Sequence, residues 1–417
     1  MNADTIIYNI KEIITPRRSL AHRGQEMKKV ESVFDGFIAI RNGKIIDYGN
    51  GNHSKYISES TYLHDAKGNI VIPGLIDSHT HLVHAGSREN EFRQKIKGVP
   101  YLNILQQGGG IYNTVEATRA ASFSELFQKA RQSLDEMLLL GVTTIEAKSG
   151  YGLNYETELK QLEVAKKLNE IHPIDIISTY LGAHAVPKEF KDNKEEYINS
   201  IIRDLELIRN NELAESVDVF CEESVYTLED TKRIIEAAKK LGYFARIHAD
   251  EIHPMGGLGL AVELGASSAD HLIAASDKDI KRLANSKTVA NLLPSTSFFL
   301  NKEYANARKM IDEGCIVSIS SDYNPGSSPS ENLQFSMQLA CNKMKLRPKE
   351  VLNAVTINAA YGLGLKEKTG TISKGKAADI VVMDAQNLDY IMYHFGINHT
   401  KDVFKNGKLV VKDRQII

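Results

Sequence analysis

Long apolar runs are absent from this chain. No stretch approaches the roughly 18 consecutive apolar residues that a membrane-spanning helix needs, so no span is expected. An excess of one charge is absent too. The formal net charge of -2 provides no strong field for nucleic acid or an anionic membrane. Cysteine is scarce: Cys221, Cys315 and Cys341 lie far apart, are odd in number and form no Cys-x-x-Cys pair. That excludes a thiolate metal pair and suits reduced, mostly buried thiols in a cytoplasmic protein. The opening Met-Asn-Ala-Asp-Thr has neither a basic segment nor an apolar one, so a signal peptide is not expected. What remains is ordinary for a soluble globular enzyme, with 42% hydrophobic and 25% charged residues. The 417 residues suffice for one large barrel and a smaller accessory domain.

Strand signals dominate both ends. Asn42-Gly43 sits between two apolar strands over 37–41 and 44–49, and Asn406-Gly407 repeats the device near the other end. Asn-Gly suits a tight hairpin because both central residues need positive φ. Residues 378–384 read as a further strand. The ends therefore predict a small β-sandwich domain built from 1–70 and 367–417. Lys374 and Lys376 flank Gly375 and read as a solvated turn.

The middle, 71–366, alternates. Ser122 and Glu125 form a capping box before a helical pattern that stops at Gly141. Strands are expected at 142–148, 174–181, 217–222, 243–248, 269–272, 288–293 and 316–321, with helices between them. About eight strand-helix units point to a parallel sheet closed as an α/β, TIM-like (β/α)8 barrel. In such barrels the chemistry gathers at the carboxyl ends of the strands.

The strand ends carry one kind of residue. Val71-Ile-Pro-Gly-Leu-Ile-Asp-Ser-His79-Thr-His81 is apolar and extended, then ends in two histidines at i, i+2. Alternation along a strand turns both imidazoles to one side. A lone His-x-His is equally a polar strand-to-loop junction. Later strands end in His248-Ala-Asp-Glu251, Asp270-His271 and Ser321-Asp322. Three imidazoles and one carboxylate suit Zn or Fe with room for a water. A metal so held brings the pKa of its water from about 15.7 toward about 7. Glu251, three residues past His248, is placed to take that proton and return it to a leaving nitrogen. His271 is placed to bond the water or a forming oxyanion. Gly108-Gly-Gly110 is followed by no Lys-Ser/Thr and preceded by no apolar strand, so a loop near the mouth replaces a phosphate cradle.

These strand ends, with Pro73-Gly-Leu-Ile-Asp77-Ser-His-Thr-His81 and the flanking β segments, resemble the amidohydrolase superfamily across nearly the whole chain. Local stretches narrow the resemblance: His81-Leu-Val-His-Ala-Gly-Ser-Arg88, Gly108-Gly-Gly-Ile111, Glu146-Ala-Lys-Ser-Gly-Tyr151, Leu181-Gly-Ala-His184 and Ser321-Asp-Tyr-Asn324-Pro-Gly326-Ser327. Together they are similar to the imidazolonepropionase family. The resemblance implies one divalent metal ion on His79, His81, His248 and Asp322, with Glu251, His271 and Asp322 as the catalytic set. It leaves Lys148 out of the ligand set, so no second metal is expected.

The family's substrate is imidazolone propionate, a cyclic amide with a carboxylate tail. A planar guanidinium suits such a tail, and Arg88 is the candidate; a salt bridge with Glu89 or Glu91 is its other reading. By the same resemblance, Tyr151 and His184 hold the ring. Glu251, Asn324, Gly326 and Ser327 line the substrate or product, Gly326 by allowing close backbone approach. A homodimer is implied as well, with no nucleic acid or membrane partner. A sister hydrolase or deaminase of another nitrogen heterocycle is the enzymatic alternative, and it would have no use for a tail-binding Arg88. A non-catalytic barrel scaffold is the other, and it would be free to lose these ligands.

Overall fold

A computed structural model describes residues 2–97 and 109–417. Gly108 lies outside them, and with it part of the glycine loop. Gly110, at φ 74°, leads into the helix Ile111–Ala120.

Five strands come first: β1 (Thr5–Pro16), β2 (Val30–Arg41), β3 (Lys44–Asn50), β4 (Tyr62–Asp65) and β5 (Ile70–Pro73). Eight more run through the middle: β6 (Leu75–Asp77), β7 (Val142–Lys148), β8 (Asp175–Ala183), β9 (Ser216–Cys221), β10 (Phe244–Ala249), β11 (Ser268–His271), β12 (Val289–Leu292) and β13 (Ile316–Ile319). Four follow: β14 (Ile380–Met383), β15 (Thr400–Lys405), β16 (Lys408–Lys412) and β17 (Gln415–Ile416).

Strands β6 to β13 pair in chain order, every pair parallel. Helices such as Phe123–Leu139, Tyr155–Ile171 and Lys194–Asn210 connect them. The expected capping box at Ser122 and Glu125 is present. Strand β7 is buried at every residue, as a parallel strand covered on both faces must be. The seam between β13 and β6 is made just beyond the strands. Asp322 N–H donates to the His79 carbonyl at 3.1 Å, and His81 N–H to the Tyr323 carbonyl at 2.8 Å. The nearly closed barrel is thus joined by the very segments that carry the candidate site.

The remaining strands form one nine-stranded sheet, ordered β17-β16-β15-β14-β5-β1-β2-β3 with β4 beside β1. Most pairs are antiparallel; β1 pairs parallel with β4 and β5. Its own core includes Ile7, Ile13, Ile38, Val71, Ile380, Val382 and Phe404. Both Asn-Gly turns have the positive φ values a tight hairpin requires, 50° and 73° at Asn42-Gly43 and 47° and 74° at Asn406-Gly407. The two turns also touch. A Cβ on Gly407 would lie 2.6 Å from Ile40 Cγ2, and one on Gly43 would lie 3.0 Å from the Asn406 carbonyl. The two ends of the chain meet there.

Two local expectations change. The apolar run before His79 is not one strand: β5 belongs to the small sheet and β6 to the barrel. Gly74 makes the crossing, where a Cβ would strike Thr143 Oγ1 at 2.2 Å. The alternation of apolar residues is blind to such a handover, because both strands are buried. Lys376 is not solvated. It is 5% exposed and donates to the Thr369 carbonyl at 3.0 Å. Lys374 does face solvent and pairs with Asp47 at 2.7 Å.

Candidate metal centre

The carboxyl end of the barrel gathers the residues that alternation placed at strand ends. His79 Nε2 lies 3.4 Å from Asp322 Oδ1, and His81 Nε2 lies 3.6 Å from the same oxygen. His79 and His248 rings are 4.6 Å apart, centre to centre. His79, His81 and His248 each bring a nitrogen within 4.8 Å of the others; as a second set, nitrogens of His79 and His271 and a carboxylate oxygen of Asp322 do the same. The separations of 3.4 and 3.6 Å are close to the edge, about 3.3–3.4 Å, of a tetrahedron with ligand bonds of about 2.0–2.1 Å.

Protonation is set from behind. His79 Nδ1 is 2.7 Å from Asp270 Oδ2, and His248 Nδ1 is 2.9 Å from Asp218 Oδ2. A carboxylate only accepts, so Nδ1 carries the proton and Nε2 is left with its lone pair. His79 Nε2 is buried with no hydrogen-bond partner. An orphaned, unprotonated nitrogen facing a carboxylate oxygen is what a divalent cation needs, and the donor set fits one.

Burial depresses the proton affinity of His79, His81 and His271 well below the ordinary range, helped by Lys148 at His79, His184 at His81 and His248 at His271. They stay neutral. His248 moves upward: burial opposes its charge, but Asp218 outweighs burial. Asp322 is pushed up to about 6 by burial, against a hydrogen bond from Thr296 Oγ1. Glu251 is pushed up to about 8, by burial first and then by Asp322. Burial is the main cause at both acids, and a dication bound there would bring both down.

Asp322 (φ 56°) and His271 (φ 74°) stand in the left-handed backbone region that non-glycine residues avoid. Strain of this kind, about 1–3 kcal/mol a residue, collects where function over-determines the backbone.

The other predicted residues surround this centre. Glu251 Oε2 is 3.4 Å from His271 Nε2. The His184 ring stacks on His81 at 5.0 Å, and Tyr151 stands 5.7 Å from His81 and 5.2 Å from His184. His184 Nδ1 lies 2.9 Å from the Gly150 carbonyl. A carbonyl cannot donate, so this nitrogen carries the proton. Burial pushes the His184 pKa down to about 3, so Nε2 remains an acceptor. Asn324 is engaged inside its loop: its amide donates to the Asp322 carbonyl and Ser327 Oγ and accepts from Gly326 N–H and Ser327 N–H. Gly326 leaves room for Arg88, whose NH1 would lie 2.1 Å from a Cβ there. Arg88 also pairs with Glu91 at 2.7 Å, so the salt-bridge reading and the proximity to the Asp322–Ser327 loop hold together.

A model of the amidohydrolase family matches residues 70–410. The imidazolonepropionase of Fusobacterium nucleatum is 52% identical over 414 residues, 99% of this chain and all of the relative. The imidazolonepropionase of Alkaliphilus metalliredigens is 49% identical over the whole of both chains. The chain belongs to the imidazolonepropionase family of amidohydrolases. Solved structures share its fold at low identity. A zinc-bound adenosine deaminase from Xanthomonas campestris is 18% identical, with a TM-score of 0.74 over 100% of this chain and 94% of its own. The guanine deaminase of E. coli is 17% identical, with a TM-score of 0.71 over 98% and 99%.

Beneath the histidines of this imidazolonepropionase-family chain lies a charged floor that sequence reasoning missed. Lys148 Nζ is 2.7 Å from Asp218, 2.9 Å from Glu146 and 3.6 Å from Asp270. Arg246 joins Glu146 at 3.1 Å. Burial works against the Lys148 charge, but Asp218, Glu146 and Asp270 raise its proton affinity above the ordinary lysine value. The signal was present as single charges inside otherwise apolar strands, Val217-Asp-Val and Ala245-Arg-Ile. Buried charges are rare unless paired, and that rule would have found them.

Proposed function

We propose that the chain hydrolyses the ring amide of 4-imidazolone-5-propanoate to N-formimidoyl-L-glutamate, the third step of histidine degradation. What carries the reading is full-length identity, 52% over 99% of the chain, to a relative of that name. The orphaned His79 Nε2 and its neighbours at the barrel mouth support it.

His79, His81, His248 and Asp322 would hold one divalent ion, zinc or iron. Such an ion supplies Lewis acidity, bringing the pKa of water toward about 7 and polarising a carbonyl. Glu251 removes a proton from the attacking water and hands it to the departing ring nitrogen. Water thus adds across one C–N bond: oxygen joins the carbonyl carbon as a carboxylic acid, nitrogen takes one proton, and the acid releases the other to solvent as it ionises to the carboxylate. Neutral His271 donates to the developing oxyanion. His184 Nε2 accepts from a ring N–H while Tyr151 closes the ring pocket. Arg88 takes the propanoate tail. Asn324, Gly326 and Ser327 form the wall on the product side. We read 71–366 as the catalytic barrel, with 1–70 and 367–417 as the accessory domain. In this reading the enzyme is a cytoplasmic homodimer, which sedimentation tests.

The test is incubation with freshly made imidazolone propionate, following loss of ring absorbance with and without a chelator. Turnover that the chelator abolishes is the expected result. Deamination of a neutral heterocycle without ring opening would replace the proposal, though an Arg88 held beside the Asp322–Ser327 loop disfavours it.

A further inference from the structure

Glu91 is an acid in the first turn of the helix Glu89–Ile96. First-turn acids usually face water and answer the helix dipole. Exposed Glu89 does that here. Glu91 is different: it is 4% exposed and both of its oxygens are engaged. Oε2 accepts from Arg88 Nε at 2.9 Å and lies 2.7 Å from Arg88 NH2. Oε1 accepts from Gly110 N–H at 2.9 Å. On the opposite side, the Arg88 NH1 end lies against Gly326, whose missing Cβ makes the space. Gly326 N–H donates to Asn324, and Asn324 donates to the Asp322 carbonyl. One carboxylate thus ties the guanidinium to the start of the helix Ile111–Ala120 and orients it over the loop that carries a candidate ligand.

A buried ion pair is weak evidence for stability, because desolvation offsets its attraction. A guanidinium is planar, with two edges that each suit a carboxylate. Nε and NH2 form one edge, and Glu91 holds it. We propose that Glu91 is a positioning residue that sets the plane of Arg88, so that its NH1 end meets the carboxylate tail of the substrate. This rests on the proposed substrate and adds the residue behind the tail contact.

The conservative variant is informative. In Glu91→Gln, one amide oxygen remains to accept, and the NH2 group faces either the guanidinium or the Gly110 N–H, both donors. One of the two ties is lost. For the holoenzyme with imidazolone propionate, KM is expected to rise about ten-fold and kcat to change less, as when an outer partner of a binding group is removed. With an analogue whose tail is a carboxamide, KM is expected to change less than about two-fold, because little tail attraction exists to lose. Glu91→Asp, which keeps the charge but is one methylene too short to reach both partners, is expected between the two and carries the test if Glu91→Gln does not fold. Equal rises for both substrates would make Glu91 merely structural and overturn the proposal. So would an unchanged KM in Glu91→Gln while Arg88→Ala raises it. An unchanged KM in Arg88→Ala would instead remove the tail assignment itself, and the Glu91 role with it.

Discussion

The barrel mouth and the small sheet solve the same problem in opposite ways. Both contain buried charge and positive-φ backbone. In the small sheet the charges are satisfied: Lys405 meets Asp379 at 2.8 Å and Asp175 at 3.0 Å, and His64 meets Asp402 at 2.9 Å. Positive φ in its two facing hairpins falls on Asn-Gly, the pairs that tolerate it best. At the mouth, positive φ falls on Asp322 and His271. Among the described residues, buried side-chain atoms without a hydrogen-bond partner include those of His79, His81, Asp270 and His271, and none lies on a strand of the small sheet. One region is built to be stable. The other keeps strain and unpaired donors and acceptors, which is the mark of a functional site.

That contrast can be broken most sharply at Glu251. Glu251→Gln keeps shape and hydrogen-bonding size but cannot carry a proton. Turnover is expected to fall by about 10²–10⁴-fold with metal content unchanged. Full activity in this variant would remove Glu251 from proton transfer. Asp270→Asn comes next. It weakens the anchor on His79 Nδ1 and unbalances the Lys148 cluster. Metal affinity is expected to fall about 10–100-fold, read by competition with a chromogenic chelator. Unchanged affinity would make Asp270 a bystander.

The small sheet should answer in the other currency, stability. Gly407→Ala forces a Cβ into positive φ and toward Ile40. A loss of about 1–3 kcal/mol in denaturant unfolding is expected, with kcat and KM unchanged. A large drop in kcat would couple the two regions more tightly than their separate cores suggest.

The smallest effect is in pH dependence. In the metal-free protein Glu251 keeps its proton up to about 8, against an ordinary 4.5. Between those values the folded state binds more protons than the unfolded one. The Glu251 contribution to stability therefore declines as pH rises through that window. The depressed histidines act oppositely below 6.5, where the unfolded chain binds more protons. The Glu251 term is isolated by comparing metal-free wild type with Glu251→Gln from about pH 6.5 to 8. Wild type should lose stability relative to the variant; parallel curves would contradict the shift.

The candidate ligands were legible because strand-helix alternation places strand ends together, whatever loops intervene. His79, His81, His248, His271 and Asp322 all follow from that rule and from single-residue chemistry. The hairpins were legible because Asn-Gly has few other uses. What could not be read depends on pairing between distant strands. Asp218 and Asp270 gain meaning only when β9 and β11 flank β10, where Asp218 meets His248 and Asp270 meets His79 just beyond β6. The handover at Gly74 hides inside an unbroken apolar run. Glu91 looks like any helix-starting acid until its burial is known.

The central claim is that His79, His81, His248 and Asp322 share one ion. Elemental analysis of the purified chain beside His248→Ala and Asp322→Ala tests it directly. One equivalent of metal in the wild type and a loss in both variants is the predicted result. Full metal content in either variant would contradict it.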